Sequence, residues 1–185
     1  RPTPRTTHIP YTTLFRSTPT ANLSSITSTT VTAISDGNVT FTGNLGKAAT
    51  TVTGNSTFTV DNSATLGTAT FTVNSGSTIS ADASKLTGKT VSGTGTVSVT
   101  HLEESLNANF ATVNASTTLN VDWSGTGTQI YLGNLTNVDK LTVSSGTMSV
   151  DASILNSATA ITNSSTIDVT NLEVTPSMDL TKISG

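Results

Sequence analysis

Residues 52–61 read VTGNSTFTVD, and this stretch decides the fold. One apolar residue is followed by a short run of small polar residues and then by an apolar–polar–apolar segment that ends in Asp. Five further copies of this pattern occupy residues 73–82, 91–99, 113–122, 143–151 and 161–169. Because polar and apolar residues alternate with period two on either side of Gly, Asn and Ser, each copy predicts two short strands joined by a tight turn.

The spacing of the copies predicts how the strands are arranged. The second apolar residue of each copy falls at 58, 79, 97, 119, 148 and 167, so the steps are 21, 18, 22, 29 and 19 residues. Steps near 20 residues are typical of one coil in a stacked repeat fold. We therefore predict an all-β parallel β-solenoid with coils of about 18–22 residues. The alternative is a set of antiparallel β-sandwich repeats, in which the same segments form hairpins.

The composition agrees with a fold that has a thin apolar interior. Only 10% of the 185 residues are charged and 4% are aromatic, while Thr and Ser are abundant. The sequence has no Cys, which excludes disulfides and thiolate metal sites. No apolar run approaches the roughly 18 residues that a membrane-spanning helix needs, so no membrane span is predicted.

Residues 1–17, RPTPRTTHIPYTTLFRS, differ from everything that follows. The segment PYTTLFRS resembles a translated sequencing adapter, and we predict that residues 1–17 are a non-native or disordered leader. Residues 18–185 are then a single solenoid segment. Without the leader, five Lys stand against eleven acidic residues, a balance that disfavours binding to nucleic acid.

A longer repeat overlies the short one. Residues 22–26 (NLSSI) resemble residues 109–113 (NFATV) and residues 179–183 (DLTKI), and GNL at 43–45 recurs at 133–135. These matches predict units at about 22–108 and 109–178, with a third unit from 179. The sequence is therefore interpreted as a fragment of a longer array, in contact with neighbouring repeats of its parent protein.

Two sets of repeated polar residues have structural interpretations. The Thr before each second apolar residue predicts one outward column along the stack. Its members are Thr57, Thr78, Thr96, Thr118, Thr147 and Thr166. The Asp at the end of the repeated strand predicts Asx turns at coil corners. These residues are Asp61, Asp82, Asp122 and Asp151. A Ca²⁺ ladder is the alternative, although the glycine-rich loop of calcium-binding β-rolls is absent.

Few residues suggest ligand binding or catalysis. Trp123 and Tyr131 are the aromatic residues of the irregular 29-residue step, and they predict a ligand-contact loop. Glu103 and Glu104 follow His101 and offer a carboxylate pair of the kind used in glycoside hydrolysis. The corresponding residues 171–174, NLEV, lack both the His and the second acid, which favours a solvated corner. We predict no catalytic residue, no enzyme activity, no resident metal and no cofactor.

The repeated strand segments and the TNLE corner at 170–173 resemble repeat regions of very large bacterial secreted or surface proteins, the adhesin-like and haemagglutinin-like group. The resemblance implies an extracellular or cell-surface location and a role as a stiff stalk or binding surface. The implied partner is a host or environmental surface, through a glycan or protein ligand. The alternatives are a non-catalytic part of a polysaccharide-acting β-helix enzyme and a surface-layer protein. An adapter-headed fragment also fits a metagenomic origin.

Overall fold

The computed structural model describes residues 31–34, 37–114, 116–174 and 177–185. The predicted leader at 1–17 and the start of the first unit at 22 lie outside these residues. All strand pairs in the described part of the chain are parallel, and consecutive coils stack through them. The predicted parallel β-solenoid is confirmed, and the antiparallel alternative is wrong.

One sheet, here called the central sheet, continues through all of the described coils. Each of its strands presents alternate residues to the interior, as the period-two pattern requires. Its eight strands are β2 (Asn38–Phe41), β4 (Thr57–Val60), β6 (Thr78–Asp82), β8 (Thr96–Thr100), β9 (Thr118–Trp123), β11 (Lys140–Val143), β13 (Ala160–Asn163) and β15 (Ile183–Ser184).

Two shorter sheets flank the central sheet at different levels of the stack. The first flanking sheet contains β1 (Val31–Ile34), β3 (Ala49–Val52), β5 (Thr70–Val73) and β7 (Val91–Gly93). The second flanking sheet contains β10 (Thr128–Tyr131), β12 (Thr147–Asp151) and β14 (Thr166–Thr170). The coils that come first in the chain, here called the lower coils, therefore use the first flanking sheet. The later coils, here called the upper coils, use the second flanking sheet.

Short helical segments form some of the corners between sheets. The α-helices are α1 (Ala83–Leu86) and α2 (Ala152–Leu155). Single 3-10 turns occupy Leu102–Glu104, Leu172–Val174 and Leu180–Lys182. Both α-helices come from the sequence Asp-Ala-Ser-x-Leu, whose Ala and Leu side chains are buried in each copy.

The interior of the central sheet contains the apolar column that the spacing predicts. Phe58 is the register partner of Ile79, Ile79 of Val97, and Val97 of Leu119. All four side chains are fully buried. Because they stack one per coil, these residues make a continuous core. Burying each side chain of this size stabilises the fold by about 1.5–3 kcal/mol.

The stacking changes at β9, which we call the switch strand. β9 follows a turn and pairs with β8, which also follows a turn. On its other side it pairs with β11, which precedes a turn, with Asn120 opposite Lys140. The first flanking sheet therefore ends near Val113, whose carbonyl accepts a hydrogen bond from Asn137 Nδ2 at 2.8 Å.

The predicted Thr residues consequently form two columns instead of one. Thr57, Thr78, Thr96 and Thr118 are successive register partners in the central sheet. Thr147 and Thr166 are partners in the second flanking sheet, and their column begins at Thr128. The single column predicted from the sequence is wrong above Thr118, because the strands change sheets at the switch.

Candidate binding surface

The two aromatic residues of the irregular step belong to the core. Trp123 and Tyr131 both have 0% of their surface exposed, and the Tyr131 hydroxyl donates to the Ala108 carbonyl at 2.8 Å. Burial raises the pKa of the Tyr131 hydroxyl well above its usual value. Neither side chain reaches the surface, so the prediction that they contact a ligand is wrong.

The irregular step contains a strand, β10, that the sequence pattern missed. Its register places Gln129 opposite the buried Met148, so Gln129 points inward, and its Oε1 is buried without a hydrogen-bond partner. The next residue, Ile130, points outward and is 59% exposed. In β10 a polar residue therefore points into the core and an apolar residue points to solvent, the reverse of the usual arrangement. A signal was nevertheless present, because SGTGT at 124–128 repeats SGTGT at 92–96, which also leads into a strand.

The four predicted corner Asp residues have three different roles. Asp61 accepts hydrogen bonds from the backbone N–H and hydroxyl of Ser63, and Asp151 does the same with Ser153, so these two form the predicted Asx turns. Asp82 forms no such turn and accepts from the next coil, as Asp151 additionally does from Asn171. Asp122 lies within the switch strand. No group of three potential metal-ligating side chains is present among the described residues.

Asp82 joins two successive corners through a charged hydrogen bond. Its Oδ1 is 2.8 Å from His101 Nδ1 and accepts the Thr100 hydroxyl at 2.6 Å. The hydrogen bond to Asp82 raises the pKa of His101 above its usual value. Burial raises the pKa of Asp82, but the hydrogen bonds from Thr100 and His101 outweigh it and leave that pKa lowered.

The carboxylate pair at this corner is divided between two environments. Glu103 is buried, and its carboxylate accepts the backbone N–H of Ser124 at 2.9 Å. Glu104 is exposed. The Glu103 carboxylate therefore supports the turn that leads from the switch strand into β10.

An open cleft lies on the outer face of the central sheet, across the switch strand. We call it the switch cleft, and its volume is about 210 Å³. Ser98 lies opposite Asn120, Asn120 opposite Lys140, and Asp122 opposite Thr142. The strands β8, β9 and β11 thus supply one or two polar side chains each. The lining residues are Ser98, Val99, Asn120, Val121, Asp122, Lys140 and Thr142.

The polar groups of the switch cleft are not engaged within the described part of the chain. Ser98, Asn120 and Lys140 make no side-chain hydrogen bond there, and the Asp122 carboxylate has one long contact, 3.5 Å from the Ser144 hydroxyl. Three other Lys side chains each donate to a backbone carbonyl one coil away. They are Lys85, Lys89 and Lys182. The switch cleft therefore combines unused donors and acceptors on a rigid sheet.

The residues of the switch cleft could not be grouped from the sequence. Ser98, Asn120 and Lys140 lie in three different coils, and their spacing of 22 and 20 residues is that of ordinary coils in this chain. Only the register at the switch strand places them in one row.

Comparisons of this chain with protein-family models, curated proteins and solved structures find no match. Its class is therefore defined by its own architecture, a parallel β-solenoid with a change of flanking sheet. Within the described coils, no helix has both the length and the apolar character needed to cross a membrane.

Proposed function

We propose that this chain is a structural and adhesive module of a bacterial extracellular or cell-surface protein. It acts as a stiff segment that holds a polar binding surface away from the parent structure. The partner is a host or environmental surface.

The observation that carries this proposal is the continuity of the central sheet. Eight parallel strands at about 4.8 Å per step give a segment about 35 Å long, with backbone hydrogen bonds between coils from one end to the other. A single hydrophobic core fills it. Bending such a segment would break ladder hydrogen bonds and core contacts together, so the architecture favours a rigid spacer.

The outer surface supports the adhesive part of the proposal. The switch cleft offers unengaged polar groups on a face that does not contribute to the core. Binding residues are most effective when a rigid scaffold positions them, and strands hold side chains more precisely than loops.

Adhesion of beads under flow tests the proposal. Beads carrying the 185-residue chain should be retained on cultured epithelial cells or on at least one polysaccharide-coated surface. Beads carrying the same chain after irreversible thermal unfolding are the matched control, because their composition is identical. Equal retention of both bead types, or retention of neither on any surface, would contradict an adhesive function.

The open cleft also favours one alternative, a non-catalytic part of a polysaccharide-acting β-helix enzyme. That alternative expects retention on one polysaccharide and no retention on cells. Retention on cultured cells would therefore favour the adhesive proposal over this alternative.

A further inference from the structure

We propose that the switch cleft is a binding site for a neutral, linear glycan laid along the solenoid axis. The inference rests on the proposed adhesive function and names the chemistry that the adhesive surface recognises.

The donors and acceptors of the cleft match sugar hydroxyl groups. Each sugar hydroxyl both donates and accepts, and neighbouring hydroxyls on a ring present two donors to one carboxylate. Asp122 supplies two acceptor oxygens, Lys140 supplies three N–H donors, and the Asn120 amide supplies both kinds of group. These three side chains lie on the adjacent strands β9 and β11, so one sugar unit can reach them together.

The charge of the cleft favours a neutral ligand. Lys140 is its single cation, and Asp122 is its single anion on the adjacent strand. A phosphate or a carboxylate-rich polymer would approach Asp122 as closely as Lys140, and phosphate recognition uses clustered cations. A neutral polyol meets no such repulsion.

The walls of the cleft disfavour a protein partner. Protein interfaces are anchored by exposed aromatic and large apolar side chains. The two apolar residues of the cleft, Val99 and Val121, are each only 1% exposed, and the nearby Trp123 is buried. The available contacts are therefore hydrogen bonds from small polar side chains.

The direction of the ligand follows from the register. The outward row that contains the cleft continues below Ser98 to Ser80 and Thr59, and it ends above Lys140 at Ala160. Successive members are about 4.8 Å apart along the axis. A linear glycan in this row meets a polar side chain at each coil, and its contacts stop at Ala160.

Titration of the ¹⁵N-labelled 185-residue chain with oligosaccharides tests the inference. The probes are the neutral hexasaccharides maltohexaose, cellohexaose and mannohexaose, with hexagalacturonic acid as the charged comparison. We expect one neutral probe to shift the amide signals of Ser98, Asn120 and Lys140 in a saturable manner, with millimolar affinity. No saturable shift with the neutral probes, shifts confined to other coils, or tighter binding of hexagalacturonic acid would overturn the inference.

A pair of matched variants assigns the binding to the cleft. Asp122→Asn should weaken the best neutral probe about tenfold, because a hydrogen bond to a charged acceptor is lost. Asp168→Asn is the control, since Asp168 is exposed on the outer face of β14, away from the cleft. Equal affinity of the two variants would overturn the inference.

The same variants separate this inference from the function on which it rests. If beads carrying Asp122→Asn adhere as well as the original chain, the cleft assignment is wrong and the adhesive function stands. If the neutral glycan binds at the cleft while the beads adhere to no surface, the adhesive function is wrong and the site stands.

Discussion

The lower and upper coils of this solenoid build the same central sheet from different parts of the repeat. Below the switch strand, the central sheet takes the strand that follows each turn, as in β4, β6 and β8. Above it, the central sheet takes the strand that precedes each turn, as in β11 and β13. Sequence similarity between two segments therefore predicts similar local structure, but it does not predict membership of the same sheet.

The two short α-helices show the same division. Asp-Ala-Ser-x-Leu forms α1 after β6 of the central sheet and α2 after β12 of the second flanking sheet. In both copies the Ala and Leu are buried. The corner is decided locally, whereas its place in the molecule is decided by stacking. The predictions below test how the two halves depend on the switch between them.

The largest effect is expected at Trp123, which ends the switch strand and is fully buried. Trp123→Ala should lower the free energy of unfolding by about 3–5 kcal/mol, because it removes a large core side chain and leaves a cavity. Urea unfolding followed by circular dichroism measures the change. The control is Ile130→Ala on the exposed face of β10, expected within about 0.5 kcal/mol of the original chain. Similar costs for both variants would mean that the core does not pass through the switch.

A smaller effect is expected from the two SGTGT turns, which have the same sequence in different surroundings. A Cβ at Gly95 would lie 2.6 Å from Val73 Cγ1 and 2.4 Å from the Asn74 carbonyl oxygen. Gly127 has open space but a φ of +67°. Gly95→Ala should therefore cost about 2–3 kcal/mol through overpacking, and Gly127→Ala about 1 kcal/mol through backbone strain. A larger cost at Gly127 in urea unfolding would contradict the tight stacking of the lower turn.

Gln129 offers a change in the opposite direction. Gln129→Leu replaces a buried, unpaired Oε1 opposite Met148 with an apolar side chain of similar size. We expect the free energy of unfolding to rise by about 1 kcal/mol, because the desolvation cost of the amide is removed. A loss of stability in thermal unfolding would indicate that Gln129 has a partner essential to β10. Gln129→Glu is the matched control and should destabilise.

The smallest effect distinguishes the His101–Asp82 corner from its counterpart, in which Asn171 Nδ2 donates to Asp151 Oδ2 at 2.7 Å. His101 and Asn171 share a left-handed backbone conformation. Since the pKa of His101 is raised mainly by Asp82, with smaller attraction from Glu103 and Glu104, its contribution to stability is present at low pH. That contribution is lost as the pH rises through the folded-state pKa.

The pKa of Asp82 is lowered in the folded state, so the pH dependence of its contribution is opposite to that of His101. The contribution of Asp82 to stability is lost as the pH falls through its folded-state pKa. The urea midpoint of the original chain should decrease as the pH rises from about 6.5, the ordinary pKa of His, through the raised folded-state pKa of His101. His101→Asn should flatten this decrease, because the Asn side chain donates without titrating. An unchanged pH profile in the variant would show that His101 does not couple to folding.

The sequence predicted the coils, the central apolar column and the tight turns, since each depends on a pattern within about one coil. It could not predict the switch, because β10 places Gln129 inside and Ile130 outside. The strand therefore lacks the alternation of inward apolar and outward polar residues by which the other strands are recognised. It also assigned Trp123 and Tyr131 to a ligand by residue type, whereas their exposure depends on which sheet each strand joins. The row of Ser98, Asn120 and Lys140 depends on that same long-range register.

The change of flanking sheet at the switch strand also affects what a neighbour of this molecule would meet. In a uniform solenoid, the equivalent corners of successive coils stack in one line along the axis. Here α1 follows a strand of the central sheet, and α2 follows a strand of the second flanking sheet. Two copies of one sequence motif therefore occupy different corners of the coil. An array that inserts one extra strand between repeats can in this way display a single motif at more than one corner without changing the motif itself.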